Sequence, residues 1–133
     1  MKKQLFFIVL SFMLLSNLCF GSSSNPMTMQ DHEGNTPIHF VARTGRSISM
    51  LDSLFRFPGI NINIQNKWGN TPLHEVILTE NHEQKILFIH YFLIQGANLT
   101  LKNNQNKTVL ELAQEKDKKS YDFILFYVNK ERD

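Results

Sequence analysis

Asp31-His-Glu-Gly-Asn-Thr-Pro-Ile-His39 returns 35 residues later as Asn66-Lys-Trp-Gly-Asn-Thr-Pro-Leu-His74, with five of nine positions identical. A third, weaker copy, Asn103-Asn-Gln-Asn-Lys-Thr-Val-Leu-Glu111, follows at a further offset of 37. Matching joints precede the second and third copies: Gly59-Ile-Asn-Ile-Asn63 and Gly96-Ala-Asn-Leu-Thr100. A period of this length signals stacked supersecondary units.

The motif has a physical reading. Thr36, Thr71 and Thr108 stand where a hydroxyl caps a helix N-terminus. Pro37 and Pro72 then take the first helical position, where the missing N–H costs nothing and φ is preset. Gly34 and Gly69 suit a tight turn with positive φ, and Gly59 and Gly96 suit helix ends. The spacing predicts helix pairs at about Thr36–Arg43 and Ile48–Phe57, Thr71–Leu78 and His82–Gln95, and Thr108–Lys116 and Ser120–Asn129. Their apolar positions are Ile38, Val41 and Ala42; Leu51, Leu54 and Phe55; Ile86, Ile89, Leu93 and Ile94; Leu110 and Ala113; and Phe123, Ile124 and Tyr127. The fourth helix carries more large apolar residues than one buried face needs, and core packing is the expectation for them. Lys116-Asp117-Lys118-Lys119 reads as a solvated loop.

The twice-repeated Gly-Asn-Thr-Pro-[Ile/Leu]-His, supported by Gly-Ala-Asn-Leu-Thr, closely resembles the ankyrin repeat. The resemblance covers Asp31 to about Val128. It implies an all-α solenoid of about three helix-turn-helix repeats, at about 31–65, 66–102 and 103–130. The first two helix pairs run longer than the family's usual repeat. The third copy has Asn106, Val109 and Glu111 where Gly, Pro and His are expected, as suits an end repeat whose outer face meets water. Three repeats is near the minimum for a stable stack, so modest stability and a frayed third repeat are expected.

Ahead of the repeats, Met1-Lys2-Lys3 is followed by an apolar run from Leu5 to Phe20 and then Gly21-Ser-Ser-Ser-Asn-Pro26. A charged start, an apolar middle and a small-residue exit read as a signal peptide over residues 1–21, with 22–30 a linker. A cut after Ser23 is the alternative. Leu18 is too large for a lipoprotein site at Cys19. Sixteen residues are short for a membrane anchor. Localisation is therefore expected to be exported, periplasmic or secreted.

Lys+Arg total 14 and Asp+Glu 12. Without Lys2 and Lys3 the balance is 12 against 12. This argues against nucleic acid as a partner and against a polybasic membrane anchor, so no membrane association is expected after cleavage. One cysteine makes neither an internal disulfide nor a cysteine-rich zinc site.

Of the five histidines, His74-Glu75 and His82-Glu83 begin like a zinc-protease motif, but Leu78 and Ile86 stand where the second His belongs. No nucleophile elbow or phosphate loop occurs. Glu111 and Glu115 share a helix face as solvated charges. The expectation is no enzyme, no cofactor and no metal. For His39 and His74 the resemblance implies structural hydrogen bonds to turn backbone of the same or the next repeat.

The resemblance also implies a concave binding surface made of turn tips and the exposed side of the first helices. The tip positions are His32, Glu33, Lys67, Trp68, Asn104 and Gln105; the helix positions are Phe40, Arg43 and Glu75. Trp68 is the sole tryptophan, and Trp and Arg are favoured hot-spot residues. The expected function is a non-catalytic protein-protein interaction module, monomeric, binding another protein. The alternatives are a secreted effector acting on host proteins and a small hydrolase.

Overall fold

A computed structural model describes residues 25–80 and 84–132. The signal segment, its cleavage site, and His82 and Glu83 lie outside the described residues. The helices are α1 Pro37–Thr44, α2 Ile48–Phe55, α3 Pro72–Leu78, α4 Lys85–Ile94, α5 Val109–Lys116 and α6 Lys118–Lys130, and no strand occurs among the described residues.

Each helix pair folds on itself, α1 on α2, α3 on α4 and α5 on α6. The first helices then stack α1–α3–α5, and α4 packs on α6 in the outer layer. The motif decides where the first helices begin. Thr71 Oγ1 accepts the N–H of His74 at 3.4 Å, and Thr108 Oγ1 accepts that of Glu111 at 3.2 Å. Pro37 and Pro72 open α1 and α3. The core runs through all three pairs: Ile38, Val41 and Ala42; Leu51 and Leu54; Leu73, Val76 and Ile77; Phe88, Ile89, Phe92 and Leu93; Val109, Leu112 and Ala113; and Ile124. Stacking thus buries faces that no single pair covers.

Several expectations are corrected. Residues 25–30, expected as linker, dock on the first repeat. Met27 is buried in the core, and Asn25 Nδ2 donates to the Pro58 carbonyl at 2.7 Å. Lys118 and Lys119, expected in a loop, open α6, because Asp117 caps it. The Asp117 carboxylate accepts from Ser120 N at 3.2 Å and Ser120 Oγ at 2.8 Å. The third repeat, expected to fray, has fully buried Leu112, Ala113 and Ile124, and Lys85 Nζ ties Asp117 to it from α4 at 3.0 Å. On α4 the apolar excess divides. Phe88, Ile89, Phe92 and Leu93 are buried, while Leu87 and Ile94 face water, 56 % and 53 % exposed. Between α2 and α4, the Tyr91 hydroxyl donates to Asp52 at 2.6 Å, and the Phe55 ring lies against Tyr91 and Phe92.

Each repeat carries one left-handed residue at the same place in its turn: Gly34 at φ 75°, Gly69 at 71° and Asn106 at 60°. Asn is the side chain that tolerates this region best, which explains the missing third glycine. A Cβ on Gly69 would also lie 2.9 Å from Asn104 N and 3.0 Å from Asn103 Cα in the next turn. Gly96 has the same sign of φ, 83°, and open space around it. Gly69→Ala is therefore expected to destabilise by about 2 kcal/mol or more. Gly96→Ala is expected to cost only the conformational part, about 1–2 kcal/mol. Urea denaturation of the two variants tests this, and equal losses would show that the close approach of the turns costs nothing.

Candidate functional site

The three turns build one continuous edge. Within each, the first residue closes the turn with its side chain: Asp31 Oδ1 accepts from the N–H of Glu33 and Asn35, Asn66 Oδ1 from Trp68 and Asn70, and Asn103 Oδ1 from Gln105 and Lys107. Such Asx turns suit Asn and Asp because the short side chain reaches backbone two residues on.

Between turns, backbone and asparagine side chains form a ladder. Lys67 N–H donates to the Glu33 carbonyl at 3.0 Å, and Asn104 N–H to the Trp68 carbonyl at 2.8 Å. Asn66 Nδ2 donates to Asn35 Oδ1 at 2.9 Å, and Asn103 Nδ2 to Asn70 Oδ1 at 3.0 Å. All four asparagines are buried, so the pairing satisfies amides that would otherwise cost desolvation energy. These ladder residues are functional supports that the sequence reading left without a role, although Asn35 and Asn70 sit inside the repeated motif.

Glu75, expected on the open face, is instead buried beneath the ladder. Its Oε1 accepts from Asn66 Nδ2 and Asn70 Nδ2, each at 3.0 Å. It holds the middle turn, its Oε1 shared between those two amides.

The two motif histidines join the repeats as expected. The N–H of Thr36 donates to His39 Nδ1 and that of Thr71 to His74 Nδ1, each at 3.2 Å. Nε2 of His39 meets the Asn70 carbonyl at 3.0 Å, and Nε2 of His74 meets the Lys107 carbonyl at 3.1 Å. A backbone N–H only donates and a carbonyl only accepts, so each ring must carry its proton on Nε2. Burial pushes both histidines below their usual pKa, against the opposing pull of those carbonyls and of Glu75. Their roles are thus used up in structure, with no lone pair left for a metal or a substrate. In the third repeat Glu111 replaces the histidine, and its carboxylate accepts from Thr108 N–H at 2.8 Å. That backbone bond holds its pKa down. Glu115, on the same face, pairs with Lys107.

Above this scaffold stand the tips. Trp68 is 47 % exposed, while its N–H donates to Asn66 Oδ1 at 3.1 Å and its carbonyl accepts from Asn104. Lys67 is exposed beside it, its carbonyl accepting from Asn104 Nδ2 at 2.7 Å. His32, Asn104 and Gln105 are exposed on the neighbouring tips; Glu33 is half-buried and accepts from Asn35 Nδ2 at 3.1 Å. On α1, Phe40 is half-buried and Arg43 exposed. The structure therefore puts Lys67 and Trp68 on a middle tip bonded from both sides, with His32 and Glu33 on the tip before it. Phe40 and Arg43 stand on the first helix, and Glu75 lies below the surface.

The ankyrin repeat pattern matches residues 33–64 and again 68–104. A putative ankyrin repeat protein of Rickettsia felis is 33 % identical over 93 residues, 67 % of this chain and 40 % of that protein. Ankyrin repeat domain-containing protein 53 of Macaca fascicularis is 34 % identical over 85 residues, 62 % of this chain and 16 % of that one. A vaccinia virus protein called an inhibitor of apoptosis is 42 % identical over 50 residues, 37 % of this chain and 10 % of its own length. The matches thus span a tenth to two fifths of these relatives' lengths. Among solved structures, the ankyrin repeat protein EF0377 superposes with a TM-score of 0.69 at 20 % identity, covering 77 % of this chain and 52 % of that one.

Proposed function

The chain belongs to the ankyrin repeat family, and from that premise we propose that it is an exported, non-catalytic module that binds a protein through its turn tips and α1. Ankyrin repeats indicate protein-protein interaction in general. The narrower reading rests on one observation: an indole nearly half exposed on a turn whose backbone is bonded to the turns on either side.

A preformed aromatic contact loses little conformational freedom when it binds, so more of its burial appears as affinity. Lys67 beside Trp68, and Arg43 on α1, add charged donors that choose among acidic groups of a partner. The amino-terminal segment, positive, then apolar, then small, supports export. For the partner this means an encounter in the periplasm or the medium.

The test is affinity capture with the chain from extracts of envelope and medium, read by mass spectrometry, with Trp68→Ala in parallel. A protein held by the parent and lost with the variant supports the reading and identifies the partner. Capture identical in both removes the tip from the site, and turnover of any substrate in an activity screen would overturn the non-catalytic assignment.

A further inference from the structure

The outer helices carry a second surface, remote from the tips in its chemistry. On α4, Leu87 and Ile94 stand two turns apart on the face opposite the buried stripe of Phe88, Ile89 and Phe92. On α6, Lys119, Phe123, Phe126 and Lys130 follow at i, i+4, i+7 and i+11, one row along the helix. Phe126 is 67 % exposed, the most exposed large apolar side chain among the described residues. His90 of α4 bridges the two helices, its ring 6.0 Å from those of both Phe123 and Tyr127. Large apolar side chains grouped this way on a soluble domain mark a contact surface rather than scattered exposure.

Charge says what covers it. From Ile86 to Leu101 the sequence has no Asp, Glu, Lys or Arg, so α4 buries its outer face without desolvating an ion. On α6 the apolar pair is bracketed by Lys119 and Lys130, neither in an ion pair among the described residues. Of the acids nearby, Asp122 is engaged with Lys118 at 3.7 Å and Asp117 with Lys85 at 3.0 Å. A second copy laid antiparallel on this row would set Lys119 against Lys130 of the other copy, a repulsive pairing. Aromatic and aliphatic side chains flanked by lysines that reach outward match a lipid interface with anionic headgroups.

We propose that the α4–α6 face docks on an anionic membrane surface, inserting Leu87, Ile94 and Phe126 among the lipids while Lys119 and Lys130 meet the headgroup phosphates. No described helix is long and apolar enough to cross a membrane, so the domain lies on the surface. This departs from the expectation drawn from total charge: a balanced sum conceals a local patch, and screening confines each charge to about 10 Å. It goes beyond the protein-binding reading and leaves the tips free for a partner.

The test uses the full chain with Trp68→Phe and Phe126→Trp, which moves the only indole to the face. With vesicles of phosphatidylglycerol and phosphatidylcholine, its emission is expected to shift blue and to be quenched by brominated acyl chains. Pure phosphatidylcholine is expected to leave it unchanged. Adding Lys119→Gln and Lys130→Gln is expected to raise the half-maximal lipid concentration about tenfold or more. Adding Leu87→Ser and Ile94→Ser is expected to abolish the shift, with circular dichroism confirming retained helix. The signal is local to α6, so attachment through another segment does not imitate it. Emission unmoved by anionic vesicles would overturn the proposal, as would an equal shift on neutral ones. A blue shift that grows with protein concentration without lipid would assign the face to a second copy instead.

Discussion

Trp68→Ala is expected to weaken the complex with a captured partner by about 30-fold or more, the scale of an interface hot spot, while helix content and thermal midpoint hold. The indole is nearly half exposed, so removing it takes little from the core. The bonds that place the tip belong to the backbone, Trp68 N–H to Asn66 and Asn104 N–H to the Trp68 carbonyl, and alanine keeps both. Binding and stability are thus separable at this position. Titration calorimetry beside a thermal melt measures each. A loss of binding accompanied by an equal loss of stability would mean that the indole shields the neighbouring turns and does not touch a partner.

The second large effect is acid lability. His39 and His74 are buried, each with its proton required on Nε2 and its Nδ1 filled by a threonine N–H. Protonating Nδ1 would set two donors against each other and place a charge in the core. Burial accordingly lowers both pKa values in the fold, whereas the unfolded histidines titrate near the ordinary value of about 6.5. Below that value the unfolded chain takes up protons that the folded chain refuses. The stability these groups contribute is therefore complete above pH about 6.5 and lost as pH falls toward the folded-state values. Each histidine can contribute a slope of up to about 1.4 kcal/mol per pH unit. Denaturation at pH 7.5, 6.5 and 5.5 is expected to show the loss well before the carboxylates with lowered pKa, Asp52, Glu111 and Asp117, are protonated. Long-range nitrogen–proton spectra are expected to show the Nε2–H form at both rings. Flat stability across this range, or an Nδ1–H form, would contradict the assignment.

The chemistry of the ladder also changes at its two ends. Asn66 and Asn103 each donate a side-chain amide to the repeat before them, whereas the corresponding Asp31 has a second oxygen there, which accepts from Asn35 at 3.2 Å. At the other end Glu111 keeps the helix cap but lacks the ring nitrogen with which His39 and His74 reach the next turn. The departure at Glu111 thus has a physical meaning: it retains the local role of the motif and omits the one directed at a neighbour.

Much of this was legible in the residues. Thr36, Thr71 and Thr108 place the helix starts because capping and the proline position are decided within four residues. Other features needed space. Glu75 follows a motif histidine in a pattern that suggests an open helix face, but Asn66 and Asn70 come over it from the turn. Asp117 sits in a basic run that suggests a loop, although the Asp117-x-x-Ser120 spacing is itself a local cap signal.

By itself, then, the sequence determined the repeat and where its first helices begin, since both depend on short-range geometry repeated at a fixed period. The joining role of the two histidines came with the resemblance, because His39 and His74 meet the carbonyls of Asn70 and Lys107 in the next turn. Only the tertiary structure decided that Glu75 is an internal support, that residues 25–30 pack on the first repeat, and that Leu87, Ile94 and Phe126 face outward. The reason is that burial depends on which elements close over a residue. The amphipathic pattern says that a helix such as α4 has an apolar side, but an excess of apolar residues leaves open which of them the neighbouring helices will cover.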